Sequence, residues 1–237
     1  MTALGMKSII IKHSKARERI ITMISSIIFD LDGTLIDSKE DIIGSANAAL
    51  RFYGKKPVAV AEGIQHVGRG ANYLLEKLMP GASPDLINKC HAYFLDYYEK
   101  NPVVHTKIYD GVIEVLQHFD KFPLFLVTNK NEKIATIILE KLNLLKYFKK
   151  VIGADTYPQL KPNPFAIFEI MKTYSLKESQ ILMVGDTDVD IQFGINAKVK
   201  TCRFENDFGA LGGARLAKED TVIRHFSELI AVVEGLS

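Results

Sequence analysis

Residues Asp30-Leu31-Asp32-Gly33-Thr34-Leu35-Ile36-Asp37-Ser38 follow directly on the apolar run Ile27-Ile28-Phe29. Two carboxylates, one residue apart, therefore stand at the mouth of a buried strand. Like charges this close push one pKa up unless a cation lies between them. A divalent metal accounts for the pair, with one carboxylate free to attack and the other to move protons. A plain turn is the competing reading, because Asp-Gly is also a hairpin signal.

Outward from this stretch, short apolar runs alternate with helical patterns. The runs are Ser26–Phe29, Leu124–Val127, Val151–Ala154, Ile181–Val184 and, more weakly, Val199–Cys202. Between them lie helices such as Asn131–Leu142, with Ile134, Ile137, Ile138 and Leu142 at helical spacing. The alternation predicts an α/β fold, a doubly wound parallel sheet with helices on both faces. Ligands of such sheets bind beyond the carboxyl ends of the strands.

One stretch breaks the alternation. Between Asp37 and Thr106 three helical patterns occur and no convincing strand. Ser38 with Asp41 resembles a capping box. It precedes an apolar stripe of Ile42, Ile43, Ala46, Ala49, Leu50 and Tyr53, which Gly54 closes. A second helix runs from Ala71 to Met79. A third begins at Ser83-Pro84, a cap followed by a first-turn proline, and ends at Asn101-Pro102. The expectation is a helical cap over residues 39–105, inserted after the first strand on two linkers near residues 38 and 105. The core then comprises residues 24–38 and 106–237.

Composition limits the function classes. The chain has 237 residues, 47% hydrophobic and 24% charged, as expected for an ordinary globular protein. No apolar stretch is long enough to span a bilayer, so a membrane partner is not expected. Cys90 and Cys202 show no metal-type spacing and read as reduced thiols of a cytoplasmic protein. Residues 1–23 carry Lys7, Lys12, Lys15, Arg17 and Arg19 against Glu18, a net +4; with +2 overall, the remainder carries −2. That balance gives no basis for nucleic-acid binding by the main body. The basic head reads as a targeting segment, an unstructured extension, or sequence upstream of a start at Met23.

Three further strand ends bear on the first motif. Leu126-Val127 leads into Thr128-Asn129-Lys130, a hydroxyl and an amide at a strand tip or an ordinary capped turn. Lys161-Pro162-Asn163-Pro164 sets a lysine between rigid segments just before a helix. Ile181–Val184 ends in Gly185-Asp186-Thr187-Asp188-Val189-Asp190, an acidic capping loop or part of a metal site. With Asp30 and Asp32, the metal reading is the stronger.

These four pieces, in this order from about Ser25 onward, resemble the haloacid dehalogenase superfamily of phosphotransferases, with its Rossmann-like core. The resemblance implies Asp30 as nucleophile and Asp32 as general acid and base. It implies Thr128 and Lys161 on the phosphoryl oxygens, with Asn129 beside the hydroxyl. Mg2+ would be held by Asp30, the backbone carbonyl of Asp32, and Asp186. Asp190 would be an outer ligand or would orient Lys161. An acid at position 32 favours phosphoryl chemistry over dehalogenation. The insert looks like the family's type 1 helical cap, which leaves room for small substrates.

Within the superfamily the chain is most similar to phosphoglycolate phosphatases. The similarity rests on Val67–Ala71, Val127–Lys130, Lys146–Phe148 with Val151–Gly153, and Lys161–Pro164. Two departures stand against it: Lys198 replaces a usual glycine, and residues 203–213 lack an aromatic-glycine loop. Arg69, between two glycines of the cap, is either a specificity residue for a substrate carboxylate or second phosphate, or an exposed arginine on a flexible turn. The expected function is a Mg2+-dependent phosphatase of a small phosphate ester, phosphoglycolate first. The alternatives are a sugar-phosphate mutase, a pyrophosphatase or nucleotidase, and a non-catalytic binding protein.

Overall fold

The computed structural model describes residues 24–208 and 218–235; the basic head and part of the 203–213 segment lie outside them. A six-stranded parallel sheet forms the core, in the order β5-β4-β1-β6-β7-β8. Its strands are β1 (Ser26–Phe29), β4 (Leu124–Val127), β5 (Phe148–Ile152), β6 (Ile181–Gly185), β7 (Lys200–Phe204) and β8 (Thr221–Ile223). The first strand lies in the middle, with Ile27 opposite both Leu124 and Leu182. Its neighbours run to opposite sides, so the crevice at its carboxyl end is a topological switch point.

Side chains along β1 alternate between two apolar layers, as strand geometry requires. Ile27 and Phe29 join the layer built with α5 (Val112–His118), α6 (Glu132–Lys141) and α9 (Glu228–Gly235). Ile28 joins the layer with α7 (Phe165–Tyr174) and α8 (Asp188–Asn196). Helices on both faces explain why β1, β4 and β6 are uninterrupted apolar runs.

Two expected strands are displaced. The third run was expected at Val151–Ala154, but β5 begins at Phe148 and ends at Ile152. It lies at the sheet edge, so Lys149 and Lys150 are tolerated inside it and hide its start from a search for apolar runs. The strand expected at Val199–Cys202 is β7, Lys200–Phe204. Three-residue β8, on the other edge, had no readable signal.

The insert contains α1 (Lys39–Phe52), α2 (Val60–Gly63), α3 (Ala71–Leu78) and α4 (Pro84–Lys100). The one-turn α2 was not foreseen. Short β2 (Ile36–Asp37) and β3 (Lys107–Ile108) pair antiparallel, so the two linkers form one ribbon that carries the cap. Ser83 caps α4 by accepting from the Leu86 amide. Ser38 and Asp41, however, make no capping box. The Ser38 hydroxyl donates to Asp32. Asp41 accepts from the amides of Val104, His105 and Thr106 and from the Thr106 hydroxyl. These partners lie more than sixty residues away, and they outcompete the local cap because each would otherwise be a donor without a partner.

Candidate active site

Asp30 is the first residue beyond β1, and its amide extends the ladder by donating to the Val184 carbonyl. Beyond it the chain folds back tightly, with the amides of Thr34, Leu35 and Ile36 all donating to the Leu31 carbonyl. Gly33 makes the turn at φ +81°, and a Cβ there would come within 2.3 Å of Asp186. A side chain at position 33 would therefore break the approach of the first motif to the fourth.

Asp30 and Asp186, from the ends of β1 and β6, and Asp190, in the first turn of α8, converge, each with a carboxylate oxygen within 4.8 Å of the others. Lys161 enters between two of them, its ammonium 2.6 Å from both Asp30 Oδ1 and Asp190 Oδ1. The other oxygen of Asp190 accepts from the Thr187 amide and hydroxyl. Asp190 thus lies against Lys161 and also belongs to the three-carboxylate group. Asp186 Oδ1 accepts from Thr34, but its buried Oδ2 has no hydrogen-bond partner. The loop bearing Asp186 is braced by buried Arg203, which donates to the Asp186 carbonyl and pairs with Asp188 and Glu219.

Burial shapes the electrostatics. It pushes the Asp30 carboxyl up to about 7, with Lys161 opposing and Asp190 adding to the rise. Asp186 is raised well above the ordinary carboxylate range by burial and then by Asp190 and Asp30. Burial alone would lower Lys161, but Asp190 and Asp30 hold its pKa above the usual value. Three carboxylates face one ammonium, so negative charge is in excess. The orphaned Asp186 oxygen and an all-oxygen donor set fit a hard divalent cation such as Mg2+.

A cavity beneath the cap is lined by Asp30, Asp32, Thr128 and Asn129 on the core side. Asn129 reaches it with its amide already committed. Its carbonyl accepts from the Lys161 amide, and its NH2 donates to the carbonyls of Lys161 and Gly68. Asn129, expected as a substrate ligand, splints Lys161 and ties the cap loop to the core. Arg69 is not among the cavity residues; it is exposed, its guanidinium 5.4 Å from the Tyr73 ring centroid. The residue missed in sequence is Lys130. Its ammonium lies 2.6 and 2.8 Å from the two oxygens of Asp32. Its place directly after Thr128-Asn129 was visible, but its partner, 98 residues away, was not.

A six-stranded parallel sheet with a helical insert after β1 and this acidic crevice defines a class of hydrolases. The chain belongs to the haloacid dehalogenase-like hydrolase family, whose sequence pattern matches residues 27–204. It is 33% identical over 223 residues to a phosphoglycolate phosphatase of Photobacterium profundum, covering 89% of this chain and 96% of the relative. A phosphoglycolate phosphatase of Vibrio parahaemolyticus is 34% identical over 219 residues, with the same coverage. In fold, a Haemophilus somnus protein described as a predicted phosphoglycolate phosphatase superposes with a TM-score of 0.81 at 24% identity, covering 89% of this chain and 98% of its own. Among the described residues no helix is long and apolar enough to cross a membrane.

Proposed function

We propose that the protein is a Mg2+-dependent phosphatase of small phosphate monoesters, with 2-phosphoglycolate as its preferred substrate. The observation that carries this reading is the buried group of Asp30, Asp186, Asp190 and Lys161, whose Asp30 also lines the cavity beneath the cap. The substrate preference is supported by the relatives at 33–34% identity over most of the chain.

Asp30, the backbone carbonyl of Asp32, and Asp186 would hold Mg2+. The bound ion supplies charge neutralisation between a carboxylate and a phosphate dianion. Thr128 and Lys161 bind the phosphoryl oxygens, and the lysine's charge is fixed by Asp190 before substrate arrives. Asp30 attacks phosphorus and the ester P–O bond breaks, leaving an aspartyl phosphate. Asp32 gives its proton to the departing oxygen. It then takes one from the water that attacks phosphorus, and the Asp30 carboxylate is restored.

The test is phosphate release from a panel of phosphoglycolate, sugar phosphates, nucleotides and pyrophosphate, with and without Mg2+. Release that requires Mg2+ and is fastest with phosphoglycolate is the expected result. Turnover that appears only with a bisphosphate activator would identify a mutase instead.

A further inference from the structure

We propose that Lys130 reads the charged tail of the substrate, and that it selects esters whose carboxylate sits one carbon from the ester oxygen. The proposal rests on the phosphatase reading above and adds to it the residue that sets specificity. Lys130 is the one cationic side chain lining the cavity among the described residues. Its side chain is 6% exposed, and its ammonium stands 4.6 Å from the ring centroid of Tyr98 on α4. Around it the wall is apolar, formed by Ile42, Val67, Leu74, Phe94 and Leu95. Tyr98 lines the same space.

A second anion carried into such a cavity is strongly unfavourable unless a cation meets it. Lys161 is already taken up at the reacting end, between Asp30 and Asp190 and facing the phosphoryl oxygens. Arg69 lies outside the cavity. Lys130 is left.

Distance then narrows the ligand. Asp32 must come within about 3 Å of the ester oxygen to protonate it. Lys130 Nζ lies 2.6–2.8 Å from Asp32, so it stands at most about 6 Å from that oxygen. A carboxylate one carbon from the ester oxygen has its own oxygens roughly 3 Å from it by ordinary bond lengths. With a charge-assisted hydrogen bond of about 2.8 Å to Nζ, such a tail stays within that limit. Phosphorylated short 2-hydroxy acids fit this geometry. Sugar phosphates place uncharged carbon and hydroxyls there. In the free enzyme Asp32 holds the ammonium in place; with substrate, Nζ shares its three protons between Asp32 and the tail.

The experiment compares kcat/KM for 2-phosphoglycolate and for 2-hydroxyethyl phosphate, the same frame with a neutral tail, in the full chain with Mg2+. The unaltered enzyme is expected to prefer phosphoglycolate at least about tenfold, and Lys130→Gln to reduce that ratio by roughly 30-fold or to unity. Lys130→Arg, which keeps the charge, is expected to restore much of the preference. A ratio in Lys130→Gln equal to the unaltered enzyme's, whatever the fall in absolute rate, overturns the assignment and leaves Lys130 as a partner of Asp32. Equal turnover of both esters by the unaltered enzyme overturns it without any variant, while the phosphatase reading stands. Release from neither ester overturns both.

Discussion

The buried carboxylates carry the chemistry, and their cost is written in their partners. Asp30 keeps one oxygen on Lys161, and Asp186 leaves one oxygen with nothing. Asp30→Asn is nearly isosteric and removes the nucleophile, so it should abolish phosphate release while the melting temperature is kept. Substantial residual turnover in a folded Asp30→Asn protein would sink the nucleophile assignment. Most residues of this centre were legible because each stands at a strand end beside an apolar run: Asp30, Thr128 and Asp186 in particular. What each side chain touches was not. Asn129 was expected on substrate, yet its three hydrogen bonds go to Lys161 and Gly68. A flat amide reads the same in sequence whether it faces a ligand or a backbone.

At the scale of elements, Asp41 joins the first turn of α1 to the chain returning from the cap. Asp41→Ala strands the amides of Val104, His105 and Thr106, and should destabilise the fold by about 2–4 kcal/mol in a urea titration. Burial alone would raise this carboxyl, but the Thr106 hydroxyl and the three amides bring it below the ordinary value. A depressed carboxyl stabilises the fold at neutral pH and loses that contribution as pH falls through its folded pKa. The deficit of Asp41→Ala should therefore shrink below about pH 4. After α8, Lys198 adopts φ +61°, a left-handed conformation that glycine enters without strain. Lys198→Gly should stabilise by roughly 0.5–1 kcal/mol, seen as a higher urea midpoint at unchanged slope. The departure from the family's usual glycine was visible in sequence, but its backbone cost was not.

For the whole molecule, the site and the stability are coupled through protons and metal. The folded pKa of Asp30 lies near 7 against an ordinary 3.8. Between those values the folded chain holds more protons than the unfolded one, so metal-free protein should lose stability as pH rises from about 4 to about 7. Mg2+ binds the ionised site of the folded chain and should raise the melting temperature most at and above pH 7. Scanning calorimetry at pH 5.5 and 8, with EDTA or Mg2+, checks both signs. Asp186→Asn should remove most of the Mg2+ effect. A Mg2+ shift as large at pH 5.5 as at pH 8 would refute the linkage.

Strand and helix periods alone determined the α/β class, the helical insert and the strand ends on which chemistry is placed, because burial on two faces demands unbroken apolar runs. The start of edge strand β5 and the whole of β8 escaped, since an edge tolerates charge and shortness. Tertiary structure decided the pairings between distant residues: Lys130 with Asp32, Asp41 with the returning linker, and Asn129 with Lys161 and the cap. A carboxylate or an amide in the sequence shows only that it needs a partner, and which partner it finds depends on how the layers pack.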